Sequence, residues 1–155
     1  MTRFVSVAVQ LIIAGFFTYL ISCSPEACFE ETNAYLKASF YLDATGNYKA
    51  PDSLTLYGIG MDTNKLYDKA GSVQPALLPL NSATDNCTFV IRINGITDTI
   101  ILKYSSYPHL ISKECGYTFY HILNSYIVTN NIIDTIIVRN NNITTINEEN
   151  VRIFY

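Results

Sequence analysis

The chain has 155 residues, 49% of them hydrophobic, with 10 Lys and Arg against 13 Asp and Glu and a formal net charge of −3. That length suits one domain with a real core. Scattered basic residues in an acidic chain exclude the electrostatic footprint of a nucleic-acid binder, and no Lys/Arg cluster marks a peripheral protein held by anionic lipid.

The N-terminal segment carries the strongest signal. Arg3 precedes Phe4–Ile21, a run of 18 residues without a charged side chain. The run exceeds the ~7–15 residue apolar core of an ordinary cleaved signal. As a helix it would cover roughly 27 Å, close to the hydrocarbon thickness of a bilayer. Three readings compete: a cleaved secretory signal, a retained transmembrane helix and a lipoprotein signal. The end of the run favours the third. Leu20-Ile21-Ser22-Cys23 resembles a lipobox, although Ile21 stands where a small residue is commoner. In such signals the Cys thiol receives diacylglycerol, and cleavage before it makes Cys23 the N-terminus. Residues 1–22 are then the signal peptide, 23–32 a lipidated lead and 33–155 the folded domain. Two acyl chains, at about 0.8 kcal/mol per buried methylene, hold such a domain on a membrane.

With Cys23 acylated, Cys28, Cys87 and Cys115 remain. Export places them where a disulfide persists. Cys28 sits on the lead and Cys115 in the turn-like Glu114-Cys115-Gly116, so a Cys28–Cys115 bond is the preferred pairing. Cys87, opening a strand, is expected as a buried thiol. Sequence leaves the connectivity open.

From Asn33 onward the dominant period is two. In Tyr35–Leu42 the residues Leu36, Ala38, Phe40 and Leu42 share one face, while Tyr35, Lys37, Ser39 and Tyr41 share a polar one. Asp43–Asn47 and Pro51-Asp52 read as turns, and one short helical turn fits near Asp62–Lys69. Ser53–Ile59 is a strand whose glycines, Gly58 and Gly60, suggest a bulge or close backbone approach. The clearest local structure is a hairpin of Thr88–Ile93 and Ile96–Tyr104 around Asn94-Gly95, the pair suited to a type I′ turn. Pairing Ile93 with Ile96 puts Phe89, Ile91, Ile93, Ile96, Ile100, Leu102 and Tyr104 on one face, with Asp98 the single misfit. Further strands follow at Tyr117–Leu123, Ile132–Arg139, Ile143–Ile146 and Val151–Tyr155, separated by Asn-rich loops. Seven to nine short strands indicate an all-β fold, an antiparallel β-sandwich that is immunoglobulin-like or similar. Ile96–Leu102 and Ile132–Val138 echo each other, as two strands starting at one rim would.

Candidate chemistry is thin. His109, His121 and Cys115 supply fewer converging ligands than tetrahedral zinc needs. No Gly-x-Ser-x-Gly elbow occurs, and no serine stands beside a histidine in a recognised motif. Glu30-Glu31 and Glu148-Glu149 are sequence neighbours that point apart, unlike a glycosidase pair. Asp43–Asn47 lacks the closing Glu of a calcium loop. No cofactor or catalytic residue is therefore assigned. Tyr35, Tyr41, Tyr104 and Tyr107 are the aromatics that can meet a sugar or a protein, or serve as ordinary strand formers.

Asp52–Gly60, Tyr107–Tyr117 and Asn147–Tyr155, together with the lipobox, resemble a family of uncharacterised lipoproteins from Bacteroidota, classed as a domain of unknown function. The resemblance implies an envelope location and lipid on Cys23, and it brings no catalytic residues. The expectation is a membrane-anchored envelope lipoprotein, a non-enzymatic module that binds an envelope protein or glycan. The alternative is a divergent hydrolase or carbohydrate-active enzyme, which needs His109, His121 and acids to converge. The anchor is expected on the outer membrane, and Ser24-Pro25-Glu26-Ala27 has no acidic run after Cys23, which favours a domain facing the periplasm.

Overall fold

The structure is a computed structural model that describes residues 27–155. The expected signal segment, residues 1–22, and Cys23 lie outside the described residues. Ten strands follow in order: β1 (Tyr35–Tyr41), β2 (Leu54–Gly58), β3 (Tyr67–Ala70), β4 (Ala76–Pro79), β5 (Asn86–Ile93), β6 (Ile96–Ser112), β7 (Gly116–Val128), β8 (Thr135–Val138), β9 (Asn142–Ile143) and β10 (Val151–Phe154). They form a four-stranded sheet, β4-β1-β10-β8, and a six-stranded sheet, β3-β2-β5-β6-β7-β9. The all-β sandwich read from the alternation is present. Its pairings are antiparallel except for β1 with β10, which run parallel.

The core lies where the alternation places it. Leu36, Ala38 and Phe40 of β1 and Val151 and Ile153 of β10 meet Ile91, Ile93, Ile100 and Leu102 of the larger sheet. The Asn94-Gly95 turn has positive φ at both positions and pairs Ile93 with Ile96, as the I′ geometry requires. Ile96, expected in the core, lies past the rim and stays exposed. Tyr126 ties the layers together by donating its hydroxyl to the Ile136 carbonyl at 2.5 Å.

Three local expectations need correction. The segment near Asp62–Lys69 makes turns and then enters β3, with no helical turn. The polar face of β1 is covered: Lys37 and Ser39 are buried, and the Lys37 ammonium donates to the carbonyls of Ile146 at 2.9 Å and Thr144 at 3.5 Å. Asp98 is no misfit, being only 1% exposed with a full set of donors described below. The echoing segments belong to different sheets of the sandwich and meet near their starts, where Asp98 of the first binds the main chain of Ile132 and Ile133 in the second.

Side chains also complete the ladders. The β1–β4 register ends at Ala38 with Ala76, and Pro75 then removes a donor. The Gln74 carboxamide takes over, accepting from Phe40 N at 2.9 Å and donating to Phe40 O at 2.8 Å. Asn150 plays a similar part, accepting from Lys37 N and donating to the carbonyls of Asn140 and Asn142.

Candidate functional site

A disulfide joins Cys28 on the lead to Cys115 in the turn between β6 and β7, closing a separation of 87 residues with the two Cα atoms 4.8 Å apart. Gly116 follows at φ 71°, a conformation glycine adopts without strain. A second tie runs parallel to the bond: the Thr118 hydroxyl donates to the Thr32 carbonyl at 2.6 Å. The lead therefore descends beside β7 from the hairpin tip, and β1 continues away from it. Cys87 is half-buried, with its sulfur 3.0 Å from the Tyr104 hydroxyl, so it is less enclosed than its strand position suggested. Burial, followed by that thiol contact, raises the Tyr104 phenol above its ordinary pKa.

The histidines do not converge. His109 stacks on Tyr120 with ring centroids 4.2 Å apart, whereas His121 meets Tyr104 edge-on at 5.4 Å. Tyr120 and His121 are neighbours on β7, so the two imidazoles take opposite faces of the sheet. No group of three or more metal-ligating side chains occurs among the described residues. Sequence reasoning missed one pairing, Ser106 with His121, because it is made across strands: Ser106 Oγ and His121 Nδ1 are 2.8 Å apart. Burial holds His121 below the ordinary histidine pKa, so it is neutral at physiological pH.

Glu148 and Glu149, in the loop between β9 and β10, take different partners. Glu148 accepts from the Asn140 amide at 2.8 Å, and Glu31 accepts from Asn33 N. Glu149 instead anchors a cluster on the outer face of the smaller sheet, accepting from Arg152 Nε at 2.7 Å and from the Tyr41 hydroxyl at 2.9 Å. Burial works to raise the Glu149 pKa, but these donors and Ser39 outweigh it and hold the carboxyl below its usual range. The Arg152 guanidinium lies 4.9 Å from the centre of the Tyr41 ring, and Tyr48 and Phe154 flank that ring at 5.4 and 5.3 Å. Tyr48 is well exposed, and the turn at Asp43–Asn47 folds it back to bridge Tyr41 at the end of β1. This patch sits at the end of β1 remote from the hairpin tip.

A cleft of about 560 Å³ opens between the end of β2 and the start of β5, lined by Ile59, Met61, Leu66, Leu80, Cys87 and Phe89 among others. Its volume falls in the range of small-molecule sites. Among the described residues it holds no charged cluster, since Lys65 is the one ionisable side chain besides Cys87 on its wall.

Residues 53–155, from the residue before β2 to the last residue of the sequence, match the family of unknown function DUF6452. The chain belongs to that family. No curated protein and no solved structure matches it. The DUF6452 stretch contains Cys115, the Ser106–His121 pair and the Glu149–Arg152 cluster, while Cys28 and β1 precede it.

Proposed function

We propose that the chain is a non-enzymatic module of the cell envelope, held on the outer membrane by a lipid on Cys23 with its sandwich facing the periplasm. The observation that carries this reading is the Cys28–Cys115 disulfide. It fastens the chain five residues beyond the lipobox cysteine to a long hairpin, so tension from an anchor passes into the sheet and not into a loose lead. The partner, a protein or a glycan, meets the Tyr41–Tyr48–Arg152 patch, at the end directed away from the anchor. Exposed aromatics next to a cation and a carboxylate are the composition of a recognition surface. The experiment is metabolic labelling with a palmitate analogue, with and without Cys23→Ala. Label on the wild type that disappears in the variant is the expected result. An unlabelled chain recovered free in solution sinks the anchor.

The Ser106–His121 contact favours a second reading, a divergent hydrolase with Ser106 as nucleophile and neutral His121 as base. Against it, no carboxylate among the described residues pairs with His121, and the imidazole is buried. Covalent labelling by a fluorophosphonate that is lost in Ser106→Ala would establish the hydrolase instead.

A further inference from the structure

The inward-facing residues of β6 and β7 run on after the sandwich has ended. Ile100, Leu102 and Tyr104 are core, and the same alternation continues through Ser106, Pro108 and Leu110. On β7 it runs from Leu123 back through His121 to Phe119 and Tyr117, which pair with Pro108 and Leu110. The smaller sheet starts at Tyr35 and Pro79, so its strands cover the face only as far as His121. Beyond that level Leu110, Phe119 and Tyr117 are exposed, Tyr117 to 73%, and Phe29 beside Cys28 is exposed to 93%. A sheet face keeps apolar side chains out of water only if something lies against it, and contiguous exposed patches mark contact sites.

What lies against this face follows from where the preceding chain ends. The uncharged run Phe4–Ile21 and Cys23 stand immediately before the disulfide. From Cys23 to Cys28 the chain reaches at most about 18 Å, at ~3.6 Å per residue. An anchor at Cys23 thus keeps the hairpin tip within reach of the headgroup layer whatever path the lead takes. We infer that the β6–β7 tip docks on the lipid surface, with the paired Leu110 and Tyr117 at the boundary between headgroups and acyl chains and Phe119 beside them, one pair further from the turn. Phe29 enters beside them. Tyrosine suits that depth because its ring is apolar and its hydroxyl stays wet. The surface recognised is the interfacial layer itself and not its charge. Glu30, Glu31 and Glu114 outnumber Lys113 around the tip, so anionic lipid adds no attraction. The contact is rigid because the disulfide and the Thr118–Thr32 hydrogen bond fix the lead to the same hairpin. With the tip at the bilayer, the Tyr41–Tyr48 patch lies at the far end of β1.

This inference rests on the anchor proposed above, and one experiment separates the two. The chain contains no tryptophan, so Tyr117→Trp, Phe119→Trp and, at the remote end, Tyr48→Trp each introduce a single probe at an exposed site. The full chain is made in its native envelope, extracted and reconstituted in phosphatidylcholine vesicles with lipid brominated near the headgroup end of the acyl chain. The expected result is loss of most emission from the Tyr117→Trp and Phe119→Trp variants and none from the Tyr48→Trp variant, with no change when phosphatidylglycerol is added or salt raised. A chain that stays with the vesicles while all three probes remain bright overturns the docking and leaves the anchor standing. A blue-shifted but unquenched Tyr117→Trp variant overturns it too, showing the tip buried against protein, such as a second copy of the chain. A chain recovered free in solution overturns the anchor. If its Tyr117→Trp variant is then quenched on added vesicles the docking stands, and if not both fail.

Discussion

The Asp98 carboxylate holds the main chain at Ile133: Oδ2 accepts the Ile133 N–H at 2.9 Å across the boundary between the two sheets. The same oxygen takes Ile132 N at 2.8 Å, and Oδ1 takes Asn131 N and the Thr129 hydroxyl at 2.8 and 2.7 Å. Four donors on one buried carboxylate fix the path by which the chain leaves β7 and enters β8. Removing the acceptor strands three amides with reduced access to water. Asp98→Ala is expected to cost about 3 kcal/mol or more, since each buried unsatisfied group costs ~1–3 kcal/mol. Asp98→Asn, which keeps one carbonyl oxygen, should cost less. Urea unfolding of both variants checks the order.

Acid should weaken the fold in two stages. Burial depresses the His121 pKa, so the unfolded chain binds a proton more readily than the folded one, and stability falls as pH drops below the ordinary histidine value of about 6.5. Asp98 has burial pushing its pKa up, yet the amides of Ile132 and Ile133 and the Thr129 hydroxyl prevail and bring it below the usual value. Its contribution is complete above the ordinary Asp pKa, ~3.9, and is lost as pH falls through the folded value. A urea midpoint measured against pH should therefore decline gently from about pH 6.5 and steeply below about pH 4. His121→Gln should flatten only the first stage.

The disulfide constrains the unfolded chain more than it shapes the folded one. For an 87-residue separation the chain-entropy treatment gives roughly 4–5 kcal/mol as an upper figure. Cys28→Ser and Cys115→Ser should each lower stability by up to that amount, and the double variant should cost no more than either single one. A double variant markedly worse than both singles would mean that the two residues contribute separately.

Gln74 supplies the two hydrogen bonds that Phe40 would otherwise seek from a longer β4. Gln74→Ala is expected to cost about 1–3 kcal/mol. The Phe40 amide should then exchange with solvent faster, while amides at the parallel seam with β10 change little. Hydrogen exchange resolved by residue separates this local opening from a global loss of stability.

If the Tyr41 patch is the recognition surface, Tyr48→Ala and Arg152→Ala should abolish crosslinking to the envelope partner while leaving the melting temperature within a few degrees. The Arg152–Glu149 pair is partly exposed, so its loss alone costs little, ~0–1 kcal/mol. Unchanged crosslinking in both variants would move the surface elsewhere on the sandwich.

Much of the sheet was legible because its signals are local. Alternation over β1, the Asn94-Gly95 turn and the β-branched runs near the C-terminus each declare a strand without reference to the rest of the chain. β3 and β4 were not legible, since Tyr67–Ala70 and Ala76–Pro79 are four-residue strands too short to show a period. The buried polar residues were unreadable for a different reason. Lys37 and Asn150 look like solvent-facing residues, and Asp98 like a misfit on an apolar face, until segments distant in sequence supply their partners. Ser106 and His121 are likewise joined only by the register of two paired strands. Periodicity reports which way a side chain points, but not what the remainder of the chain has placed there.

The parallel seam between β1 and β10 has a consequence for the order of assembly. The first strand of the domain takes one of its two partners from Val151–Phe154, at the far end of the sequence. A chain delivered across a membrane N-terminus first must hold Leu36, Ala38 and Phe40 unsheltered on that flank until the last strand emerges. Until then β1 offers a free edge to any other extended segment. If the domain is exported as proposed, β1 must be sheltered in transit, and removal of its last five residues would unmake the centre of the smaller sheet.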